Sequence, residues 1–397
     1  MNIFTRIAFF ALNILLIFAL SSCDEPEKKT DVSDILSDSS SVAKTVAEDT
    51  IPKSPFPLIN YTLDTIRNRQ HYRQIINRFR RKKGNFAAFK AFTTLNRKEL
   101  RFIGVGQAVV IPDTVVDDIR AYSVFPYYYP GAKNIKKIVI ISTVYQAYAC
   151  YEYGKLVRFA AVNSGKERTP SYPGRYSMGW KEKDHLSSID STWHMPYTIN
   201  FHRQAGSAFH KFTMPGRPAS HSCIRQFMDD AKWLYYWIDN EKYDSTHKPI
   251  PFSGTPVIII DYYDFSPGNG YKWKYLRNNM ELITDLPENP MAVEEALIPI
   301  SQIPLGARGS LVNYKRFLYA EDTLRARGVI RSGVRLTQTR DFNKERRLRE
   351  KKKREELERL KQDSISKSVI SIAPVKKPIT PQPKRDSTRV DTLKIIR

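Results

Sequence analysis

The sequence predicts a mostly β (α+β) domain over residues 135–262, with a single helix after residue 228, a small helical region before it and a charged extension behind it. Three observations predict this. The segments IKKIVIISTV, YQAYACYEYG and KLVRFAAVNSG read as successive strands, with Gly154 marking a hairpin turn. In DDAKWLYYWIDN, residues 229–240, Ala231, Leu234, Tyr235 and Ile238 fall at helical spacing behind Asp229 or Asp230 as the N-cap. Finally GTPVIIID, residues 254–261, is an apolar strand opened by a turn.

The flanks follow from composition. The chain has 397 residues, long enough for more than one core, and 41% hydrophobic content with 22 Tyr and 20 Phe is ample to build one. Its formal net charge of +23 attracts polyanions: nucleic acid, anionic lipid or a carboxylate-rich cell wall. The leader MNIFTRIAFFALNILLIFALSSC decides among them. Arg6 precedes an apolar run from Ile7 to Leu20, too short for the roughly 20 residues of a membrane span but fitting the core of a secretory signal. Leu20-Ser21-Ser22-Cys23 resembles the bacterial lipobox. That resemblance makes residues 1–22 a signal peptide and Cys23 a diacylated mature N-terminus; the alternative is an ordinary leader, uncleaved or cut elsewhere. Acyl chains contribute about 0.8 kcal/mol per buried methylene, so two or three anchor a protein stably. The expected location is the cell envelope, lipid-anchored and facing the periplasm, with the outer membrane favoured. Export argues against nucleic acid as a partner. Nothing in the chain specifies an oligomeric state.

Residues 23–55, rich in Ser, Asp, Lys and Pro, read as a flexible tether. Within 56–134, Tyr61–Arg81 has a mixed pattern expected to be helical. Phe86, Phe89 and Phe92 suggest one buried helical face, a second short helix ends near Gly104, and the strand Ala108–Ile111 stops at Pro112. This order and the GQAVVIPD ending resemble the second half of a LysM-type wall-binding module, although the usual glycine-rich start is not visible. A helical subdomain packed on the main domain is the alternative. Residues 263–340 read as an extension packed on the core. In 341–397, NKERRLREKKKREELERLK can form a helix through pairs such as Glu345–Arg349 and Glu350–Arg354, and 364–397 are expected to be disordered. Such a charge run is either a solvated segment or a contact for wall or lipid anions.

Two cysteines follow the leader. Cys150 sits in an apolar strand, where a lone thiol behaves as a small hydrophobe, so Cys150 and Cys223 are expected unpaired. Cys223 lies in FHRQAGSAFHKFTMPGRPASHSCIRQF, residues 201–227, with His221 two positions before it, His210 thirteen before it and Arg225 just beyond. A neighbouring imidazole or guanidinium lowers a thiol pKa from about 8.5 and raises the thiolate fraction. A strand over Ser220–Arg225 would align His221, Cys223 and Arg225 on one side, as a Cys/His acyl-transfer site needs. The same residue types, with His202, could instead bind zinc, but their spacing matches no common zinc motif.

Ser220-His221-Ser222-Cys223-Ile224-Arg225, preceded by His210, resembles the signature of the L,D-transpeptidase (YkuD-type) catalytic domain. The opening strands with Gln146, the loop TPSYPGRYSM at 169–178 and the closing GTPVIIID fall in the family's order. The resemblance implies a YkuD-like β-sandwich that acts on peptidoglycan stem peptides without a metal or organic cofactor. It implies Cys223 as nucleophile and His210 as proton acceptor and donor. His221 and Ser220 would orient the site and help the tetrahedral intermediate, and Arg225 would position substrate carboxylates or developing charge. The implied reaction is acyl transfer from a stem peptide through a thioester to an amine, giving a 3→3 crosslink. Water as acceptor would make the enzyme an L,D-carboxypeptidase, and a chain that only grips the wall would be a non-enzymatic tether. Ser222 stands where the family has glycine, and the interval from His210 to Cys223 is short, so KFTMPGRPA must close tightly around Pro215-Gly216.

Overall fold

A computed structural model describes residues 51–187, 192–338 and 342–372. The leader, the lipidation candidate Cys23, most of the tether and residues 373–397 lie outside the described residues.

The chain opens with β1 (Tyr61–Thr65), α1 (Arg69–Phe79), α2 (Phe86–Leu95) and β2 (Ala108–Pro112). Residues 61–65 are therefore a strand rather than part of a helix. They pair antiparallel with β2, from Tyr61↔Pro112 to Thr65↔Ala108, and α1 starts only where the Asn68 side chain accepts from the His71 amide. Pairing with a distant strand overrides the local helical pattern, as suits the aromatic and β-branched residues of YTLDT. The buried face of α2 also differs from expectation. Ala88, Ala91, Phe92 and Leu95 are buried, whereas Phe86 is 39% exposed. At 3.6 residues per turn, Phe86 and Phe92 lie about 120° apart around the axis, so a three-residue repeat drifts off any one face. Phe92 alone of the three is fully buried, stacked on Phe79 at 4.3 Å.

The main domain comprises β3 (Ile138–Ser142), β4 (Ala147–Glu152), β5 (Lys155–Asn163), β6 (Gly174–Ser177), β7 (Lys181–Leu186), β8 (His194–His202), β9 (Ser207–Lys211), β10 (Ile224–Gln226), α3 (Met228–Trp237) and β11 (Pro256–Ile259). The strands form one sheet in the order β6-β11-β3-β4-β5-β10-β9-β8-β7. The expected sandwich is thus a single sheet curled on itself. Val139, Tyr148 and Val257 from one half share a core with Phe201 and Phe209 from the other. The opposite face of the first half carries Ile138, Ile140, Ala149 and Phe159, which pack against Ala91, Leu95, Tyr122 and Phe125 of the N-terminal region. Burial on both faces explains why Ile138–Ile141 of β3 are all apolar instead of alternating.

Helix α3 follows the site directly. Its N-cap is Phe227, and Asp229 and Asp230 occupy the first turn instead of capping it. Asp230 serves another purpose. It is buried and accepts from Arg158 Nη2 of β5 at 2.5 Å, tying the helix to the sheet beneath it. Behind β11 the chain adds α4 (Tyr314–Ala326), which delivers Phe317, Ala320 and Leu324 to the curled sheet's core.

The last element, α5 (Phe342–Ile372), is longer than expected and continues past Lys361 through residues assigned to a disordered tail. No Pro or Gly interrupts it until Pro374, and the residue before a proline disfavours helix. Ion pairs along its described part include Arg346–Glu350 at 3.7 Å and Lys351–Glu355 at 3.8 Å, so Glu350 reaches backward along the helix.

Removing one partner of a buried ion pair leaves the other charge uncompensated, at a cost of about 3–5 kcal/mol. Asp230→Ala should therefore lower unfolding free energy by about 3 kcal/mol in denaturant titration. A loss below about 1 kcal/mol would mean that Arg158 finds solvent once freed.

Candidate active site

β10 runs parallel to β9, with Ile224 opposite Phe209 and Arg225 opposite His210. Phe209 and Ile224 point into the core and are fully buried. Side chains alternate along a strand, so His210 and Arg225 project to the other side, and Cys223, just ahead of β10, faces the same cavity. All three line one cavity of about 470 Å³, together with Ser220, His221, Trp193 and Phe212.

The expected strand from Ser220 to Arg225 is not what brings them together. The strand begins at Ile224, and Ser222 adopts the left-handed conformation with φ 74°. His221 reaches the cavity from a turn. That turn is held by the loop after β5. The Lys166 amide and Thr169 Oγ1 both donate to the Ser220 carbonyl at 3.1 Å, and Ser171 Oγ donates to the Ser222 carbonyl at 2.9 Å. Gly165 lets the loop fold this closely, because a Cβ there would lie 2.3 Å from the Thr169 carbonyl oxygen. Ser220 Oγ donates to the Cys223 carbonyl, so its hydroxyl is spent on the turn's shape. Gln146 fixes the base of the arrangement through Ser164, donating to Oγ at 2.7 Å and accepting from the amide at 2.9 Å.

The chain between His210 and Cys223 is clamped by the N-terminal region. The Glu99 amide donates to the Met214 carbonyl at 2.9 Å, and Lys98 forms a β-bridge with Pro215. The Gly216 amide donates to Asn163 Oδ1 at 3.0 Å, and Asn163 Nδ2 donates to the Arg97 carbonyl at 3.1 Å. Gly216 has φ 80°, and a Cβ there would press on the Lys98 side chain at 2.6 Å. The short interval closes because glycine makes the turn and a separate part of the chain supports it.

Electrostatics separate His210 from Cys223. His210 Nδ1 lies 3.0 Å from the Lys211 carbonyl. A carbonyl only accepts, so Nδ1 carries the hydrogen and Nε2 holds a lone pair. Burial lowers its pKa to about 4, the bond to Lys211 opposes this, and the Arg225 guanidinium adds to the lowering. The imidazole is neutral at pH 7. Cys223 is half-buried with Sγ 4.0 Å from the Gly206 carbonyl. Burial raises its pKa, outweighing the Ala208 backbone hydrogen bond and Arg225, which both lower it. The sequence-based expectation of a thiol lowered by its cationic neighbours is thus reversed. The resting site holds a thiol and a neutral imidazole.

Arg225 sits over the Phe212 ring at 4.6 Å and points Nη1 at Thr213 Oγ1, 3.4 Å away. His221 Nε2 lies 3.2 Å from Lys166 Nζ, which donates to it, and the ring packs 5.7 Å from Trp193. Ser222 Oγ bonds Ser207 Oγ at 2.8 Å. His202, a member of the zinc alternative, faces elsewhere: Nδ1 accepts from the Ala205 amide and the ring packs against Tyr176. Among the described residues no three His, Cys, Asp or Glu side chains are grouped to hold a metal ion. Cys150 is buried in the core and unpaired. Sequence reasoning missed Ser207, Ser171, Lys166 and Trp193. Gly206, the turn between two apolar runs, could have located Ser207; the others carried no local signal.

Residues 136–259 match the family model described as the L,D-transpeptidase catalytic domain. Among solved structures, the chain is similar to an L,D-transpeptidase from Stackebrandtia nassauensis, at 24% identity and TM-score 0.26, covering 32% of this chain and 56% of that one. It is also similar to L,D-transpeptidase 3 from Mycobacterium tuberculosis, at 16% identity and TM-score 0.26, over 32% and 61% of the two chains. A third similar structure is the L,D-transpeptidase from Xylanimonas cellulosilytica, at 21% identity and TM-score 0.30, over 52% and 99%. The matched region spans less than two thirds of the first two of these proteins. No curated protein sequence matches the chain.

Two outcomes follow from this geometry. With the thiol raised and His210 neutral, alkylation of Cys223 by iodoacetamide should climb continuously from about pH 7 to above about pH 9, following the thiolate fraction. A rate plateau already reached near pH 6 would reveal a preformed thiolate–imidazolium pair and contradict this electrostatic picture. At residue 222, glycine would relieve about 1 kcal/mol of left-handed strain but lose the Ser207 bond, worth about 1 kcal/mol. Ser222→Gly should therefore be near neutral in thermal unfolding, while Ser222→Ala, which keeps the strain without the bond, should be destabilised.

Proposed function

We propose, from an L,D-transpeptidase-type catalytic domain at residues 136–259, that this chain transfers a peptidoglycan stem peptide through a thioester on Cys223 to an amine acceptor. One observation carries the reading. Cys223 and His210 share an open cavity, and the imidazole's Nδ1 is committed to a backbone carbonyl, which leaves Nε2 as the free base.

In the first step His210 Nε2 takes the Sγ proton as sulfur attacks the carbonyl between the third, L-configured residue and the fourth, D-configured one. Negative charge moves to the carbonyl oxygen, where backbone amides beside Cys223 stabilise it; such donors are often worth about 3 kcal/mol each. Arg225 adds a fixed positive charge nearby. The intermediate collapses, the C–N bond breaks, and the His210 imidazolium gives its proton to the departing amine. A thioester remains. In the second step neutral His210 takes a proton from the acceptor amine as it attacks the thioester, and sulfur leaves to recover that proton. The product is a 3→3 crosslink. A neutral resting pair suits this route, since the base must be unprotonated at the start of each half. The Lys211 carbonyl fills the orienting position that a carboxylate or amide side chain occupies in other nucleophile–base–orienter sets.

The same proposal places the enzyme in the cell envelope, tethered through acylated Cys23, with the basic chain drawn to wall anions.

The test is incubation with a disaccharide-tetrapeptide and analysis of products by mass spectrometry. Wild type should release the terminal D-amino acid and form a 3→3 dimer. Cys223→Ala should lose at least about a thousandfold in rate, as loss of a nucleophile that acts with its base does. Hydrolysis without a dimer would reassign the acceptor to water. Full activity in Cys223→Ala would overturn Cys223 as the nucleophile, and the absence of any turnover and of any carbapenem adduct on Cys223 would leave only a wall-binding tether.

A further inference from the structure

Helix α5 comes back to the mouth of the Cys223 cavity. Arg346, Arg349 and Glu350 line it together with His210, His221 and Cys223. Residues three apart share a helix face, so Arg346 and Arg349 present side by side. Among the described residues that line the cavity, the charged ones on this side are Arg225, Arg346, Arg349 and Glu350. The Arg346–Glu350 contact is a loose one at 3.7 Å, with side chains 66% and 61% exposed. An exposed pair of this kind is weak and readily exchanged for another anion. Guanidinium offers a planar fork of five N–H donors suited to a carboxylate.

We infer that Arg346 and Arg349 form a carboxylate subsite at the rim of the catalytic cavity, which holds a free carboxylate of the bound stem peptide. The inference rests on the transpeptidase reading for the identity of the peptide. The arginines touch substrate away from the reacting atoms, so they govern affinity and choice of substrate. Most of α5 is a solvated charged helix, but Arg346, Arg349 and Glu350 line the cavity that also holds Cys223. Glu350 is the counterweight: it occupies the arginine a substrate would claim and repels the same carboxylate.

The experiment measures binding by calorimetry to Cys223→Ala, which cannot turn the peptide over. Two ligands are compared, a tetrapeptide stem with free carboxylates and its fully amidated form. Adding Arg346→Ala and Arg349→Ala should weaken the free-carboxylate peptide at least tenfold and leave the amidated peptide unchanged. The selectivity should shrink as salt is raised. Adding Glu350→Gln alone should tighten the free-carboxylate peptide severalfold. Equal affinities with and without the arginines would overturn the inference, as would an equal loss for both peptides or failure of either to bind Cys223→Ala. Tighter binding on removing the arginines would overturn it too and make α5 an obstructing lid. The two readings fail separately. If wild type forms no thioester yet the arginines still select the free-carboxylate peptide, the subsite stands and the transferase reading falls. If wild type crosslinks while the arginine variants bind normally, the reverse holds.

Discussion

A parallel ladder of three residue pairs between β9 and β10 is the constraint on which the site depends. Strands so close in sequence usually pair antiparallel through a hairpin; parallel pairing requires the chain to cross over and return. Here the crossing is made by residues 212–223 alone, without a helix. The return puts Phe209 and Ile224 into the core together, which fixes the register, because a one-residue slip of β10 would turn Ile224 out of the core and Arg225 into it. Core packing on one side of the ladder therefore sets the chemistry on the other.

A crossing this short cannot hold its own shape. Its support comes from three distant parts of the chain: Glu99 and Lys98 before the sheet, Asn163 at the end of β5, and the loop from Gly165 to Ser171. The N-terminal region thus acts as a strut for the candidate site. It also covers the outer face of β3, β4 and β5, where Phe125, Tyr122 and Leu95 meet Ile140 and Phe159.

The parts of this arrangement that could be read from sequence were those carried by short-range signals. Cys223, His210 and Arg225 stood out by residue type and spacing, Gln146 by the family resemblance, and the strands from Ile138 to Asn163 by their apolar runs. Apart from the period of α2 and the length of α5, the errors share a cause: each depended on a distant partner. YTLDT became a strand because AVVIP lay beside it. Asp230 was taken from the capping position by Arg158. Ser222 turned left-handed within a turn bonded to Ser171 and Ser207, ending the presumed strand. The sign of the Cys223 shift was invisible for the same reason, since a sequence lists a thiol's charged neighbours but not the water it has lost. In α5 the charge pattern was plain, while the placement of Arg346 and Arg349 on the lining of the cavity that holds Cys223 was a tertiary fact.

The proton kept on the resting sulfur has a consequence for durability. Peroxide and disulfides attack the thiolate, and a cysteine that idles in that form drifts toward sulfenic acid and mixed disulfides whenever oxidants are present. In the proposed mechanism Cys223 becomes anionic only as His210 accepts its proton, at the moment an acyl donor is in place. Between turnovers it is a guarded atom, and Cys150, sealed in the core, is out of reach as an intramolecular partner that could trap it.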